Sequence, residues 1–276
     1  MNKHSLTDDN YYQDTKYLSN STVSEYMECS ARAEAKRKGE WKDEGFKLPF
    51  AMGHFFESLL NGDSKRVIES AEFKDQLCNA NNVTENANAI KCRAMYARCS
   101  ENDLFMRFNT GLNEQIFTGE IHGVLFRIKV DIVNIANGFF TDTKSSKATL
   151  KTCINEDGEI ALDYEDFDWK DGKKRPFYEH FDYIMQLAIY QEILRQNFDV
   201  LLQPILNVAS KVKPFRYQTL FIDKHDERLS DKIELLGEYI EYIESMRAGT
   251  IEPTRCEEST CEYCNQTFNP ELPIVI

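Results

Sequence analysis

VLFRIKVDIVNIANGFFTDTK, residues 124–144, carries the reading of the fold. Val124, Phe126, Ile128 and Val130 alternate with Leu125, Arg127, Lys129 and Asp131, and a period of two is the signature of a strand. Asn137-Gly138 then supplies residues that tolerate positive φ, which predicts a two-residue hairpin loop with Phe139 to Lys144 as the partner strand. That loop pairs Ala136 with Phe139, Val133 with Asp142, and Asp131 with Lys144. Because side chains alternate faces, Asp131, Asp142 and Lys144 fall on one side of the sheet. The two aspartates are diagonal neighbours, about 7–8 Å apart at Cα.

Two carboxylates at that spacing can share a hard cation such as Mg²⁺ or Mn²⁺ through oxygen ligands, and the carbonyl of Thr143 lies near the same rim. A cation held there polarises a phosphoryl oxygen and acidifies a water, while Lys144 stabilises the attacking group, so the trio suits phosphodiester hydrolysis. The spacing Asp-x-Lys alone selects nothing, since Asp14-Thr15-Lys16 and Asp168-Trp169-Lys170 repeat it. The bland alternative is an exposed hairpin with an Asp131–Lys144 ion pair, worth under about 1 kcal/mol in solvent. The apolar setting of Ile132, Val133, Ile135, Phe139 and Phe140 weighs against it.

Working outward, Val23, Met27 and Ala31 recur at helical spacing from a start at Asn20 or Ser21 to Gly39. Pro49 opens a second helix with Phe55, Phe56, Leu59 and Leu60, closed by Asn61-Gly62. Two more helical stretches are expected before Asn109. Beyond Pro176 the pattern predicts a helix over 179–195, strands over 201–208 and 217–222, and a helix with Leu229, Ile233, Leu236, Ile240 and Ile243 on one face, ending near Gly249. This order predicts an α/β fold with a mixed central sheet flanked by helices. It reads as a single domain, 1–276: a mainly helical part over 19–110, a sheet and helix over 111–225, and a last helix with a cysteine motif over 226–276.

The chain has 276 residues, 42% of them hydrophobic and 29% charged, which suits a globular protein. Its net charge of −13 opposes a nucleic-acid reading, since phosphates are bound largely by Lys and Arg. Whole-chain charge says little about one groove, however, and acidic residues are what divalent cations need. Basic clusters stand at Lys144, Lys147 and Lys151, at Lys170, Lys173, Lys174 and Arg175, and at Lys211, Lys213 and Arg216; a solvated surface explains them equally well. No apolar run approaches the roughly 20 residues of a membrane span, and residues 1–20 lack the apolar segment of a secretory signal, so a cytoplasmic protein is expected.

In a reducing compartment the eight cysteines are read for metal ligation or core filling rather than disulfides. Cys256, Cys261 and Cys264 form Cys-x4-Cys-x2-Cys in a polar segment, where three thiolates call for a fourth ligand. Tetrahedral zinc is one occupant of such a set. Cys78, Cys92, Cys99 and Cys153 read as core filling.

Taken together, 19–39 with Cys29, the run Gly53 to Leu60, Gly123 to Asp131, Asp142-Thr143-Lys144, and the helix of Gln186 and Tyr190 resemble the PD-(D/E)xK nucleases. More narrowly they resemble the RecE-like and RecB-like phage exonucleases. The resemblance implies the restriction-endonuclease-like fold with a helical N-terminal addition and a C-terminal cysteine clasp. It places Glu57, four residues after Gly53, as a metal ligand where many relatives carry His; a solvent-facing helix residue is the alternative. It makes Gln186 and Tyr190 a QxxxY pair lining the active site and the DNA path, and Lys147 and Lys211 phosphate contacts. It gives Cys29 as the fourth ligand of a [4Fe-4S] cluster, as in AddB-like nucleases. The implied activity is a metal-dependent DNA exonuclease that resects ends for a RecT-like single-strand annealing protein in the host cytoplasm, with ring-like homo-oligomers among the relatives. An endonuclease or single-strand nuclease on the same site, and a non-catalytic DNA-binding or assembly module, are the competing readings.

Overall fold

The computed structural model describes residues 6–7, 10–43, 47–80, 84–155, 157–162, 176–256 and 261–269. The basic cluster at Lys170, Lys173, Lys174 and Arg175 lies outside them. Helices α1 (Asn20–Glu28), α2 (Ser30–Arg37), α3 (Lys47–Asn61), α4 (Ser64–Ile68), α5 (Lys74–Leu77), α6 (Ala87–Ser100) and α7 (Asp103–Arg107) precede the first strand. Strands β1 (Leu112–Ile121), β2 (Val124–Asn134), β3 (Phe139–Ser146), β4 (Thr152–Ile154) and β5 (Ile160–Leu162) follow. Then come α8 (Phe177–His180), α9 (Tyr183–Phe198), β6 (Gln203–Ser210), β7 (Tyr217–Phe221), α10 (Glu227–Arg247) and α11 (Glu262–Thr267).

Five strands form a mixed sheet in the order β1-β2-β3-β6-β7, and β4-β5 is a separate ribbon. Strand β3 pairs antiparallel with β2 and parallel with β6, which pairs antiparallel with β7. The apolar residues of β6 are what a strand enclosed on both faces requires: seven of its eight residues are buried. The chain divides into two compact units. One comprises Met1–Gly45, Thr118–Ile128 and Asp231–Ile276; the other comprises Phe46–Phe117 and Lys129–Ser230. In the second unit α3 buries Phe55 and Phe56 completely, as its apolar spacing predicts. In the first, α10 buries Leu236, Ile240 and Ile243. Among the described residues no helix is long and apolar enough to cross a membrane.

Four local expectations are corrected. The first helix is interrupted: Cys29, extended at φ −161°, ends α1 and begins α2. Among the described residues, four helical stretches, not two, lie between Gly62 and Asn109, three of them only four or five residues long and too short for a periodic signal. The helix expected over 179–195 is split at Asp182, in the left-handed region at φ 47°, whose side chain caps α9.

The fourth correction concerns the decisive hairpin. Its observed register is Ile132↔Thr141, Val133↔Phe140 and Asn134↔Phe139, two residues from the one expected. The bend spans four residues, Ile135 to Gly138, because Asn134 Oδ1 accepts the Asn137 N–H at 3.1 Å and Gly138 alone of the four takes positive φ, +72°. The two-residue turn with both positions at positive φ is His122-Gly123 (+49° and +79°), joining β1 to β2. A two-residue slip restores every side chain to its face, whereas one residue would have inverted them. The acids therefore remain on the expected side.

Candidate active site

Asp142 and Lys144 are two apart on β3, so both project from the same face. The Lys144 ammonium stands 2.8 Å from Asp142 Oδ2. From α9, Gln186 Nε2 donates to Asp142 Oδ1 at 2.9 Å and to the Tyr190 hydroxyl at 3.0 Å. Gln186 and Tyr190 are four apart, hence on one helical face, and both are buried. Asp142 is thus held at both oxygens. Its pairing with Lys144 replaces the Asp131–Lys144 pair of the expected register.

Asp131 sits where the β2–β3 ladder ends, and its carboxylate accepts the Thr143 N–H at 2.6 Å in place of a backbone partner. It lines a cleft with Glu57 of α3, Thr143, Asn61, Asn109 and Glu114. Gly53 lies one turn before Glu57, where an added Cβ would be 3.7 Å from Ser145 Oγ, so α3 runs close against β3.

Burial, with the charge of Asp131 next in weight, raises the Glu57 carboxyl well above its ordinary range. Burial and then Asp142 push Asp131 up to about 7, against the opposing pull of Lys144 and the Thr143 N–H. Asp142 is raised by burial in spite of its bond to Lys144. Burial works against the Lys144 charge, but Asp142 and Asp131 outweigh it and keep the ammonium protonated. The cluster is short of positive charge. Thr143 Oγ1, in a residue only 2% exposed, has no hydrogen-bond partner among the described residues. Three crowded carboxylates, all-oxygen donors and an orphaned hydroxyl fit a hard divalent cation.

Lys147 is exposed. Lys211 is half-buried with its ammonium donating to the Pro49 carbonyl at 3.4 Å. Burial, and less strongly the nearby charges of Lys147 and Lys91, hold Lys211 below its ordinary value.

Two residues at this site carry no expectation from sequence. Glu114, at φ 51° within β1, meets Lys129 Nζ at 2.8 Å and Asn61 Nδ2 at 3.3 Å. Its backbone departs from the strand alternation that would have revealed it. Tyr183 holds its ring 5.2 Å from the Lys144 ammonium. It precedes Gln186 by three residues on α9, and that spacing was available as a signal.

A second cluster is built separately. The Sγ atoms of Cys29, Cys256, Cys261 and Cys264 all lie within 4.8 Å of one another, and none is in a disulfide. Cys29 comes into place because the chain breaks there between α1 and α2. Ser30 and Thr254 fix the C-terminal segment against it: Ala31 N–H donates to the Thr254 carbonyl at 3.0 Å, and Thr254 N–H donates to Ser30 Oγ at 2.8 Å. Cys261 caps α11, accepting the Cys264 N–H at 3.4 Å, which turns both sulfurs inward. Cys92 and Cys99 are buried in apolar clusters, as core filling requires, whereas Cys78 is half-buried and Cys153, on β4, is exposed, so core filling does not describe those two.

A family model described as a PDDEXK-like domain of unknown function (DUF3799) matches residues 19–267. No curated protein matches the sequence. Among solved structures, the chain is similar to a protein from Eubacterium rectale provisionally described as an exonuclease. The TM-score is 0.79, with 22% identity over 98% of this chain and 96% of that one, a likeness of fold.

Proposed function

The chain belongs to the PDDEXK-like domain family, and on that premise we propose that it is a Mg²⁺- or Mn²⁺-dependent deoxyribonuclease acting as an exonuclease, with Glu57, Asp131, Asp142 and Lys144 at its centre. The observation that carries the reading is the fixed Asp142: Lys144 at 2.8 Å on one oxygen, Gln186 at 2.9 Å on the other. Glu57, Asp131, Asp142 and the Thr143 carbonyl would hold the cation, whose chemistry when bound is to polarise the phosphoryl oxygen and acidify a water. Lys144 places its charge where negative charge gathers on the phosphoryl oxygens. Gln186 keeps Asp142 in one orientation, and Tyr190 supports that amide. Lys147 and Lys211 would meet flanking phosphates.

The resemblance to phage enzymes suggests end resection for a RecT-like annealing protein, with homo-oligomers as a further expectation. End-labelled linear and closed circular DNA, incubated with and without Mg²⁺, tests the activity. Wild type should degrade the linear form only with the cation, and Asp142→Ala and Lys144→Ala should lose about 100-fold or more. Digestion by Asp142→Ala at the wild-type rate ends this mechanism. DNA binding without cleavage would leave the non-catalytic module.

The four thiols are proposed as a metal centre joining the early and late segments of the first unit. A single ion with arms of about 2.3 Å places tetrahedral thiolates about 3.8 Å apart. Cys29–Cys264 at 3.5 Å and Cys29–Cys261 at 3.7 Å match that. The [4Fe-4S] cluster that the resemblance implies interposes eight atoms and requires the thiolates to spread. Metal analysis of anaerobically purified protein decides: about one zinc per chain supports the single ion, about four irons with visible absorbance the cluster, and neither removes the centre.

A further inference from the structure

An aromatic stack begins at the side chain facing Lys144 and ends in solvent. Tyr183 stands with its ring 5.2 Å from the Lys144 ammonium. Phe181 stacks on Tyr183 with centroids 5.5 Å apart and planes inclined by 22°. Buried Phe177 supports Tyr183 from a second direction at 6.2 Å. Phe181 itself is 53% exposed, two ring layers from the ammonium. Tyr183 also lines a groove of about 270 Å³ with Tyr178, Leu220, Phe221 and Arg228, in which Phe221 is 63% exposed. Arg228 is held flat by Asp226, at 2.7 and 2.9 Å.

We propose that Phe181 and Tyr183 form a stacking platform for an unpaired nucleobase beside the scissile phosphate, continued by the groove for the strand that leaves the site. This rests on the nuclease reading and names its substrate as a single-stranded or frayed end. Three observations choose that occupant. The stack is continuous with the side chain that touches Lys144, so whatever places a phosphate at Lys144 brings its neighbouring base to the ring. A base offers a free π-face only when it is unpaired, and stacking on an aromatic tolerates any sequence. Stacking on a ring needs no net positive charge, so the net charge of −13 does not oppose this mode of binding.

The test uses the full chain and short single-stranded oligonucleotides carrying 2-aminopurine at successive positions, without added divalent cation. Stacking should quench the fluorophore at one or two adjacent positions. Phe181→Ala should abolish the quench and weaken binding roughly 5- to 150-fold, while Phe181→Trp retains both. In cleavage with Mg²⁺, Phe181→Ala should raise KM for single strands with little change in kcat. Because Phe181 is largely exposed, its replacement leaves folding intact, and Phe181→Leu separates the ring from mere apolar bulk. Wild-type cleavage with no quench, or equal weakening on an oligonucleotide abasic at the quenched position, overturns the platform alone. A Phe181→Ala change in oligomeric state without a change in affinity assigns the ring to a second copy and overturns it too. Position-specific quenching with no cleavage under any cation sinks the nuclease reading and leaves the platform standing.

Discussion

Gln186 and Asp142 are joined by a 2.9 Å hydrogen bond across 44 residues of sequence, and the same amide nitrogen reaches Tyr190 at 3.0 Å. Helix α9 therefore sets the orientation of a carboxylate on β3. Groups that orient metal-binding side chains are worth about 10- to 100-fold in affinity or activity. Gln186→Leu should lower cleavage by about that factor and raise the Mg²⁺ concentration for half-maximal rate, with Tyr190→Phe a milder version. A Mg²⁺ titration of initial rates checks it. An unchanged half-maximal concentration removes Gln186 from the site.

Burial and mutual repulsion raise the carboxyls of Glu57 and Asp131, and burial raises that of Asp142, so at neutral pH their charges should cost the cation-free fold stability. Asp131→Asn should raise the metal-free Tm, because it removes one of three mutually repelling groups at the loss of activity. Mg²⁺ at about 100 times its Kd should stabilise wild type by about 2.7 kcal/mol. At about 2–4 °C per kcal/mol that is a rise of several degrees, and it should be nearly absent in Asp131→Asn. Differential scanning calorimetry with and without Mg²⁺ measures both. Equal Mg²⁺ increments in the two proteins would refute the assignment of Asp131.

What could be read beforehand follows from the period of the pattern. Helix α10 was legible because Leu229, Leu236, Ile240 and Ile243 repeat along one face, and Gly249 at φ +74° ends it. The common face of Asp131, Asp142 and Lys144 was legible because face depends only on odd or even spacing. The register was not, since the Asn137-Gly138 pair alone does not reveal that Asn134 accepts the Asn137 N–H, a local contact that widens the bend to four residues. His122 in the left-handed region concealed the turn before β2, and Glu114 broke the alternation of β1 in the same way. Cys29 was named only by resemblance, because the helical pattern runs through it although the helix does not.

Cys264 is fully buried and Cys29 is 2% exposed, yet their sulfurs lie 3.5 Å apart without a covalent bond. Removing one ligand of a structural metal is among the few single changes that destabilise severely. Cys264→Ser should lose the bound metal and about 2–5 kcal/mol, seen as a Tm lower by roughly 5–15 °C. Cys92→Ala, in an apolar cluster, should keep the metal. Retention of metal by Cys264→Ser would remove Cys264 from the ligand set.

Glu34, 3% exposed on α2, accepts from Arg37 at 2.9 and 2.7 Å and from the Tyr26 hydroxyl. Burial acts to raise its carboxyl, but the bonds from Arg37 and Tyr26 prevail and hold it below the ordinary 4.5. A lowered folded value means that the unfolded chain takes up the proton first. The contribution is therefore complete above about pH 4.5 and is lost as pH falls through the folded value. Glu34→Gln should cost about 1–3 kcal/mol near pH 7, and the gap from wild type should narrow steadily below pH 4.5. Urea midpoints across pH 3–7 provide the measurement. A gap independent of pH would mean that packing, rather than the charge, accounts for the loss.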